Sequence, residues 1–252
     1  MRSYLQALRM HQWVKNTLLF VPVLTAHKVL DLYMLATALL AFAAFCCCAS
    51  SAYVLNHLLD LEADRHHRTK CKRPFACGAL PVMHGLRIIV LLLLAAIGLC
   101  WFLPFEFFLV LAVYYLTTSA YSCWLKQLVV IDVIVLASLY TFRIIAGSAA
   151  TDIVLSEWLL AFSMFIFLSL AMVKRYVELL DLRNMGFKEE AVGRGYHVRD
   201  IELLSSLGGA SGYLSLLIFA LYLNSDLVQS MYNRPYLLWL VCPLLLYWIS
   251  RV

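Results

Sequence analysis

The stretch LYMLATALLAFAAFCCCASSAYVLNHLLDLEADR, residues 32–65, decides the fold. From Leu32 to Leu55 it carries no charge, and it is long enough for one helix to cross the hydrocarbon core of a bilayer, which takes about 20 residues. It then turns within a few residues to an amide and several carboxylates. Ionisable groups are costly in lipid, so the change marks where a helix leaves the membrane.

The rest of the chain repeats the pattern. Of its 252 residues 63% are hydrophobic and 14% charged, and the mean hydropathy is +0.84. A soluble domain of this size needs far more polar surface. Eight apolar runs, near 13–30, 32–59, 83–103, 105–123, 129–150, 157–180, 203–224 and 235–251, predict eight spans. They must be helices, because lipid offers the backbone no other partner; the short alternating strands of an outer-membrane barrel do not occur. Pro22 interrupts the first run, which predicts a tilted or partly interfacial segment. The residues before 17 are polar and amphipathic, so the first span is expected to serve as insertion signal without a cleaved leader. The last run stops at Arg251–Val252 and leaves room for a ninth helix beyond it. The expected architecture is an all-α, polytopic transmembrane bundle forming one domain over 1–252.

Charge orients the bundle. One set of loops holds Arg2, Arg9 and Lys15, then Arg65 through Arg87, Lys126, and Lys174 through Arg199. The other set holds only Lys28 and Arg234 among Asp31, Glu106, Asp152, Glu157 and Asp226. Positive-inside bias places the first set in the cytosol, and its alternation matches the span count. Two loops on that face, 60–82 and 181–202, are long and rich in functional side chains, and their similar places in the two halves hint at an internal repeat. The expected location is therefore the inner (plasma) membrane, with the chemistry facing the cytosol. The 8 cysteines show no CxxC or Cys/His zinc spacing and read as small buried residues of a reducing compartment.

Asn56, Asp60 and Asp64 are spaced by four and so share one helical face, each a turn above the last. Two carboxylates and an amide oxygen suit Mg²⁺, which takes one or two carboxylates plus water and phosphate oxygens. A cation also relieves the repulsion between the acids. Arg68, Lys70, Lys72 and Arg73 follow, then Pro74 and Gly78. Their charge would favour a departing diphosphate. The bland alternative is a solvated helix end whose acids and bases pair at the membrane surface. A second cluster, Lys174, Glu178 and Asp181, shares a face at spacings of four and three, with Arg175 and Tyr176 on the same turn and Arg194, Tyr196 and Arg199 beyond. Its bland reading is a membrane border where Lys174 and Arg175 snorkel. Arg143 lies inside an apolar span, where a charge usually has a function. It could pair with a carboxylate in the bundle or hold a lipid phosphate.

The first array, followed by Arg73-Pro74-(x)₃-Gly78, resembles the first signature of the UbiA superfamily of membrane prenyltransferases. That signature is usually Asn-Asp-x-x-Asp-x-x-x-Asp, and here His57 stands at its second position. Metal binding would then rest on Asn56, Asp60 and Asp64, helped by Glu62 or water, while His57 either contacts phosphate or is a helix-end histidine without a ligand role. Members acting on aromatic substrates carry a second motif, Asp-x-x-x-Asp, which this chain lacks. Lys174-Arg175-x-x-Glu178 is closer to the decaprenyl-phosphate phosphoribosyltransferase branch, as are Gln12-Trp13-Val14-Lys15-Asn16, Asp132-Val133-Ile134-Val135 and Phe142-Arg143-Ile144-Ile145-Ala146-Gly147.

The resemblance implies a UbiA-like fold and Mg²⁺-dependent transfer of a 5-phosphoribosyl group from phosphoribosyl diphosphate to a polyprenyl phosphate. Asp60 and Asp64 would hold the ion. Lys15, Lys72, Arg73, Lys174 and Arg175 would hold phosphate oxygens, with Arg68, Arg143, Asp181, Arg194 and Tyr196 as further substrate contacts. Glu178 would orient a ribose hydroxyl. The implied partners are the two substrates and the membrane, with no nucleic acid and a homo-oligomer left open. Two other readings stand beside it: UbiA-type prenyl transfer from a polyprenyl diphosphate to an aromatic or other acceptor, and a membrane transporter. A transporter would place paired broken helices near the midplane, and the acids here cluster at the cytosolic mouth.

Overall fold

The structure, a computed structural model, describes residues 2–66, 70–184, 195–225, 228 and 234–251. Every regular element among them is a helix. In chain order, α1 (Arg2–Ala7) leads to a 3₁₀ helix (Met10–Phe20) and α2 (Val21–Thr25). Then come α3 (Leu32–Leu59), α4 (Leu61–His66), α5 (Val82–Cys100), α6 (Phe105–Cys123), α7 (Ile131–Thr151), α8 (Glu157–Asn184), α9 (Ile201–Leu223) and α10 (Val241–Arg251).

Among the described residues, five of the eight expected spans are helices long and apolar enough to cross a membrane: α3, α5, α7, α8 and the segment Val198–Leu223 that contains α9. The other three are also helical but differ from expectation. The fourth, α6, has 19 residues, diluted by Glu106 and the polar run Thr117–Ser119. The last divides into a 3₁₀ turn, Pro235–Leu240, and the 11-residue α10. The first is not an α-helical span. Its 3₁₀ helix runs for 11 residues, far longer than the usual few.

The reason for that long 3₁₀ segment is visible in its side chains. In a 3₁₀ helix residues three apart eclipse, so Trp13, Asn16 and Leu19 form one row. Trp13 Nε1 donates to Ser50 Oγ (3.0 Å) and Asn16 Nδ2 to Cys46 Sγ (3.2 Å), while Leu19 is fully buried. Ser50 and Cys46 lie one turn apart on α3, so a period of three is matched to a period of four.

The chain forms two compact units, residues 1–124 with 142–154, and 125–141 with 155–252. α7 contributes its first half to the second unit and its second half to the first. In the first unit α3 packs on α5, α6 and the 3₁₀ helix. Asp31 caps the start of α3, its Oδ1 accepting from the Tyr33 and Met34 amides. Small residues Ala38, Ala41, Ala44, Cys48 and Ala52 are buried along it, as are Cys46 and Phe45. Small side chains let membrane helices approach closely where lipid supplies no hydrophobic drive between them. In the second unit α8 packs on α9, which carries α10. Ser169 Oγ donates to the Gly208 carbonyl across the α8–α9 contact at 2.8 Å.

Candidate active site

The first cluster stands where α3 gives way to α4. Asp60 is the C-terminal cap of α3, yet the helical course continues: the Asp60 amide donates to the Asn56 carbonyl (3.0 Å) and the Asp64 amide to the Asp60 carbonyl (2.8 Å). Asn56, Asp60 and Asp64 are therefore stacked a turn apart, as their spacing predicts. Asn56 and Asp60 are half-buried; Asp64 is 2% exposed. Arg73 Nη1 donates to Asp64 Oδ2 at 2.5 Å and neutralises it. Lys72 is exposed and Lys15, on the 3₁₀ helix, half-buried. Arg68 lies outside the described residues.

These residues fit a magnesium ion by the chemistry of their donors. Among the described residues no group of three or more His, Cys, Asp or Glu side chains converges on a metal position. Two carboxylates, an amide oxygen and room for phosphate oxygens are what a substrate-shared Mg²⁺ uses.

Two residues of this cluster were not singled out by spacing. Arg9 Nε donates to His57 Nε2 (3.0 Å), and the Arg9 guanidinium lies 5.5 Å over the Tyr53 ring. Burial, and then the charge of Arg73, lower the Arg9 pKa; Asp64 and Asp60 act against this. His57 is 3% exposed, packs near Phe75, and its Nδ1 is buried with no hydrogen-bond partner among the described residues. Only the fold brings Arg9 to this helix end. No local sequence signal marks it.

Arg143, 4% exposed, belongs to the same unit. Its Nε donates to Asn16 Oδ1 (2.9 Å) and its Nη2 to the Tyr114 hydroxyl (3.0 Å). The cation stands 5.1 Å over the Tyr114 ring and 5.5 Å over that of Phe45. Each of these contacts is with a neutral group. Cation–π contacts gain strength when desolvated, to about 2 kcal/mol. One turn on, Gly147 lies against the 3₁₀ helix so closely that an added Cβ would stand 2.1 Å from the Leu19 carbonyl oxygen. Phe142–Gly147 thus holds the 3₁₀ segment, and with it Lys15, in place.

The second cluster lies at the end of α8. Lys174 and Asp181 are exposed, and Glu178 is half-buried. Arg175, by contrast, is 1% exposed. Its Nε donates to Asp132 Oδ2 (2.5 Å) and its Nη1 to Glu178 Oε2 (2.6 Å). Tyr196 is also buried: its hydroxyl donates to Asp132 Oδ1 (2.5 Å) and accepts from the Val130 amide (2.9 Å). Burial, and then the hydrogen bond to Asp132, raise the Tyr196 pKa. Val130 has φ +67°, rare for a β-branched residue. Beside it the Gly195 amide donates to the Gln127 carbonyl (3.1 Å), where a Cβ on Gly195 would stand 2.4 Å from that oxygen. Arg175, expected to hold phosphate oxygens, and Tyr196, expected as a substrate contact, thus both donate to Asp132 and anchor the end of the loop. Arg194 lies outside the described residues.

Residues 17–252 match the family model of the UbiA prenyltransferase family. The nodulation protein NoeC of Azorhizobium caulinodans is 37% identical over 99% of this chain and 80% of its own length. The decaprenyl-phosphate phosphoribosyltransferase of Mycolicibacterium smegmatis is 37% identical over 73% of this chain. The chain spans 59% of that protein's length, and 49% of the length of Sinorhizobium fredii y4nM, also 37% identical. A UbiA homolog from Archaeoglobus fulgidus, solved bound to GPP and Mg²⁺, superposes with a TM-score of 0.73 over 98% of this chain and 84% of its own, at 16% identity.

Proposed function

The chain is a multi-pass membrane protein of the UbiA prenyltransferase family, and we propose that it transfers a 5-phosphoribosyl group from phosphoribosyl diphosphate to a polyprenyl phosphate at the cytosolic face of the membrane. The observation that carries this reading is 37% identity to a decaprenyl-phosphate phosphoribosyltransferase over 73% of the chain. The second cluster supports it. There Asp132 and Glu178 are engaged by Arg175, and beyond Asp60 and Asp64 the sequence has no second Asp-x-x-x-Asp motif.

In the reaction the bond from ribose C1 to the diphosphate oxygen breaks, the diphosphate leaves with the electron pair, and a phosphate oxygen of the lipid bonds to C1. The acceptor is already an anion, so no strong general base is required. Mg²⁺ held by Asp60, Asp64 and the Asn56 amide oxygen would supply positive charge to the leaving diphosphate. Arg73, beside Asp64, and Lys72 and Lys15 would donate to phosphate oxygens. Lys174 and Glu178 keep the roles the resemblance implies, phosphate and ribose hydroxyl. Arg143 and Arg175 act through the elements they hold. Preorganised charge and positioning supply the rate.

Prenyl transfer is the second reading, favoured by the likeness to a fold solved with GPP and Mg²⁺. Membranes bearing the protein, given polyprenyl phosphate and labelled phosphoribosyl diphosphate, are expected to yield labelled lipid. Label entering a lipid product only from a polyprenyl diphosphate would replace the first reading by the second.

A further inference from the structure

We propose that Arg9 and His57 complete an anion subsite for the diphosphate group of the donor, with His57 as the positioning residue that aims Arg9. The proposal rests on the reading of the first cluster as a diphosphate site. It adds two residues that the spacing of the acids does not supply.

The backbone gives the first argument. Arg9 adopts φ 49°, ψ 46°, the left-handed conformation, between α1 and the 3₁₀ helix. A non-glycine residue rarely adopts that conformation, because its Cβ crowds the following carbonyl. Its side chain is then fixed twice, by the hydrogen bond from Nε to His57 Nε2 and by the face of Tyr53. The Nε bond is the guanidinium's hydrogen bond among the described residues, and both Nη groups remain for a ligand. A fork held by its root is the arrangement that recognises phosphate.

Electrostatics gives the second. Burial, and then the charge of Arg73, lower the Arg9 pKa, while Tyr53, Asp64 and Asp60 act against this, and an anion beside the guanidinium would favour its charged form.

His57 gives the third. Because Nε2 accepts from Arg9, a neutral ring carries its proton on Nδ1, and that atom is buried without a partner among the described residues. A buried unpaired donor is unfavourable, because it has lost its water without gaining an acceptor. His57, Asp60 and Asp64 stand at i, i+3 and i+7, on one helical face. Where the family signature has a carboxylate, this chain therefore has a side chain that accepts from an arginine and has a donor left over. The exchange shifts the position from holding a cation towards orienting an arginine.

The test uses the whole protein in detergent with inorganic pyrophosphate and Mg²⁺ as probe, followed by steady-state kinetics with the donor. Arg9→Gln is expected to weaken pyrophosphate binding and raise donor KM about tenfold to hundredfold, the size of one charge-assisted hydrogen bond, leaving acceptor KM unchanged. Arg9→Lys should fall between. His57→Gln, whose side-chain oxygen can still accept from Arg9, should stay within about threefold of the parent, whereas His57→Leu should follow Arg9→Gln. Unaltered pyrophosphate affinity in Arg9→Gln overturns the proposal. So does a parallel loss of donor affinity, acceptor affinity and thermal stability across all four variants, and so does a parent protein that binds no pyrophosphate. If the parent binds pyrophosphate but only a prenyl diphosphate serves as donor, with its KM raised in Arg9→Gln, the subsite stands and the phosphoribosyl reading falls.

Discussion

Asp64 and Asp132 are both buried carboxylates held by arginine, and the two pairs predict different outcomes. Asp64 lies beside Arg73, whose side chain is 22% exposed and can turn to a substrate. Asp60→Ala and Asp64→Ala are each expected to abolish Mg²⁺-dependent turnover while membrane insertion persists; normal activity in both variants would remove the site assignment. Asp132 is fully buried against Arg175 and Tyr196. Arg175→Met leaves that carboxylate without its guanidinium, and truncating one partner of a buried pair costs about 3–5 kcal/mol. A large drop in thermal midpoint in detergent is the expected result, and a midpoint equal to the parent's would show that Arg175 is not an anchor. Asp60 and Asp64 were legible in the sequence because a four-residue spacing on a helix is local information. Arg175 was legible as a charge but not as a buried one, because the acid that claims it lies 43 residues away. Arg9 carries no local signal at all, since it reaches His57 across 48 residues.

At the scale of the element, the 3₁₀ helix is the feature that hydropathy alone misread. Its apolar composition resembles a span, but its buried row recurs every three residues, and it is held by Ser50, Cys46 and Arg143. Its closest approach is to Gly147. Gly147→Val puts side-chain atoms where the Leu19 backbone stands, so the segment must shift or detach. The expected outcome is faster proteolysis near residues 10–20, together with a raised KM for the phosphorylated donor through displaced Lys15. Unchanged proteolysis and KM would show that the contact is not needed. The α-helical spans were read to within a few residues at most ends, because each is a long run dominated by apolar residues with polar or charged residues gathered near its ends. α8 extends to Asn184, beyond the apolar part, because its last turns are held by side chains such as Arg175 and Leu179 rather than by lipid.

At the scale of the molecule, the asymmetry of Lys and Arg among the loops sets the expected orientation. Single cysteines placed at Lys70 and Lys126 in a background without the native thiols should react with an impermeant reagent only after the cytosolic face is opened, and one at Val154 without opening it. The reverse pattern would invert the topology and remove the site from the cytosol. The two compact units each carry one of the two polar clusters, and the second half of α7 joins the 3₁₀ segment in the first unit while its first half carries Asp132 in the second.

Composition and spacing by themselves determined that lipid is the solvent, that the chain crosses it as helices, and that two acids and an amide share a face at the end of α3. Each of these depends on residues within one or two turns of each other or on the average of a run. Only the tertiary structure decided which partners these charges meet: Arg143 meets Asn16 across 127 residues, Arg175 meets Asp132, and Arg9 meets His57. It also decided that the first apolar run winds as a 3₁₀ helix. A buried ion or a change of helical pitch depends on partners brought together by packing, and those partners lie far apart along the chain.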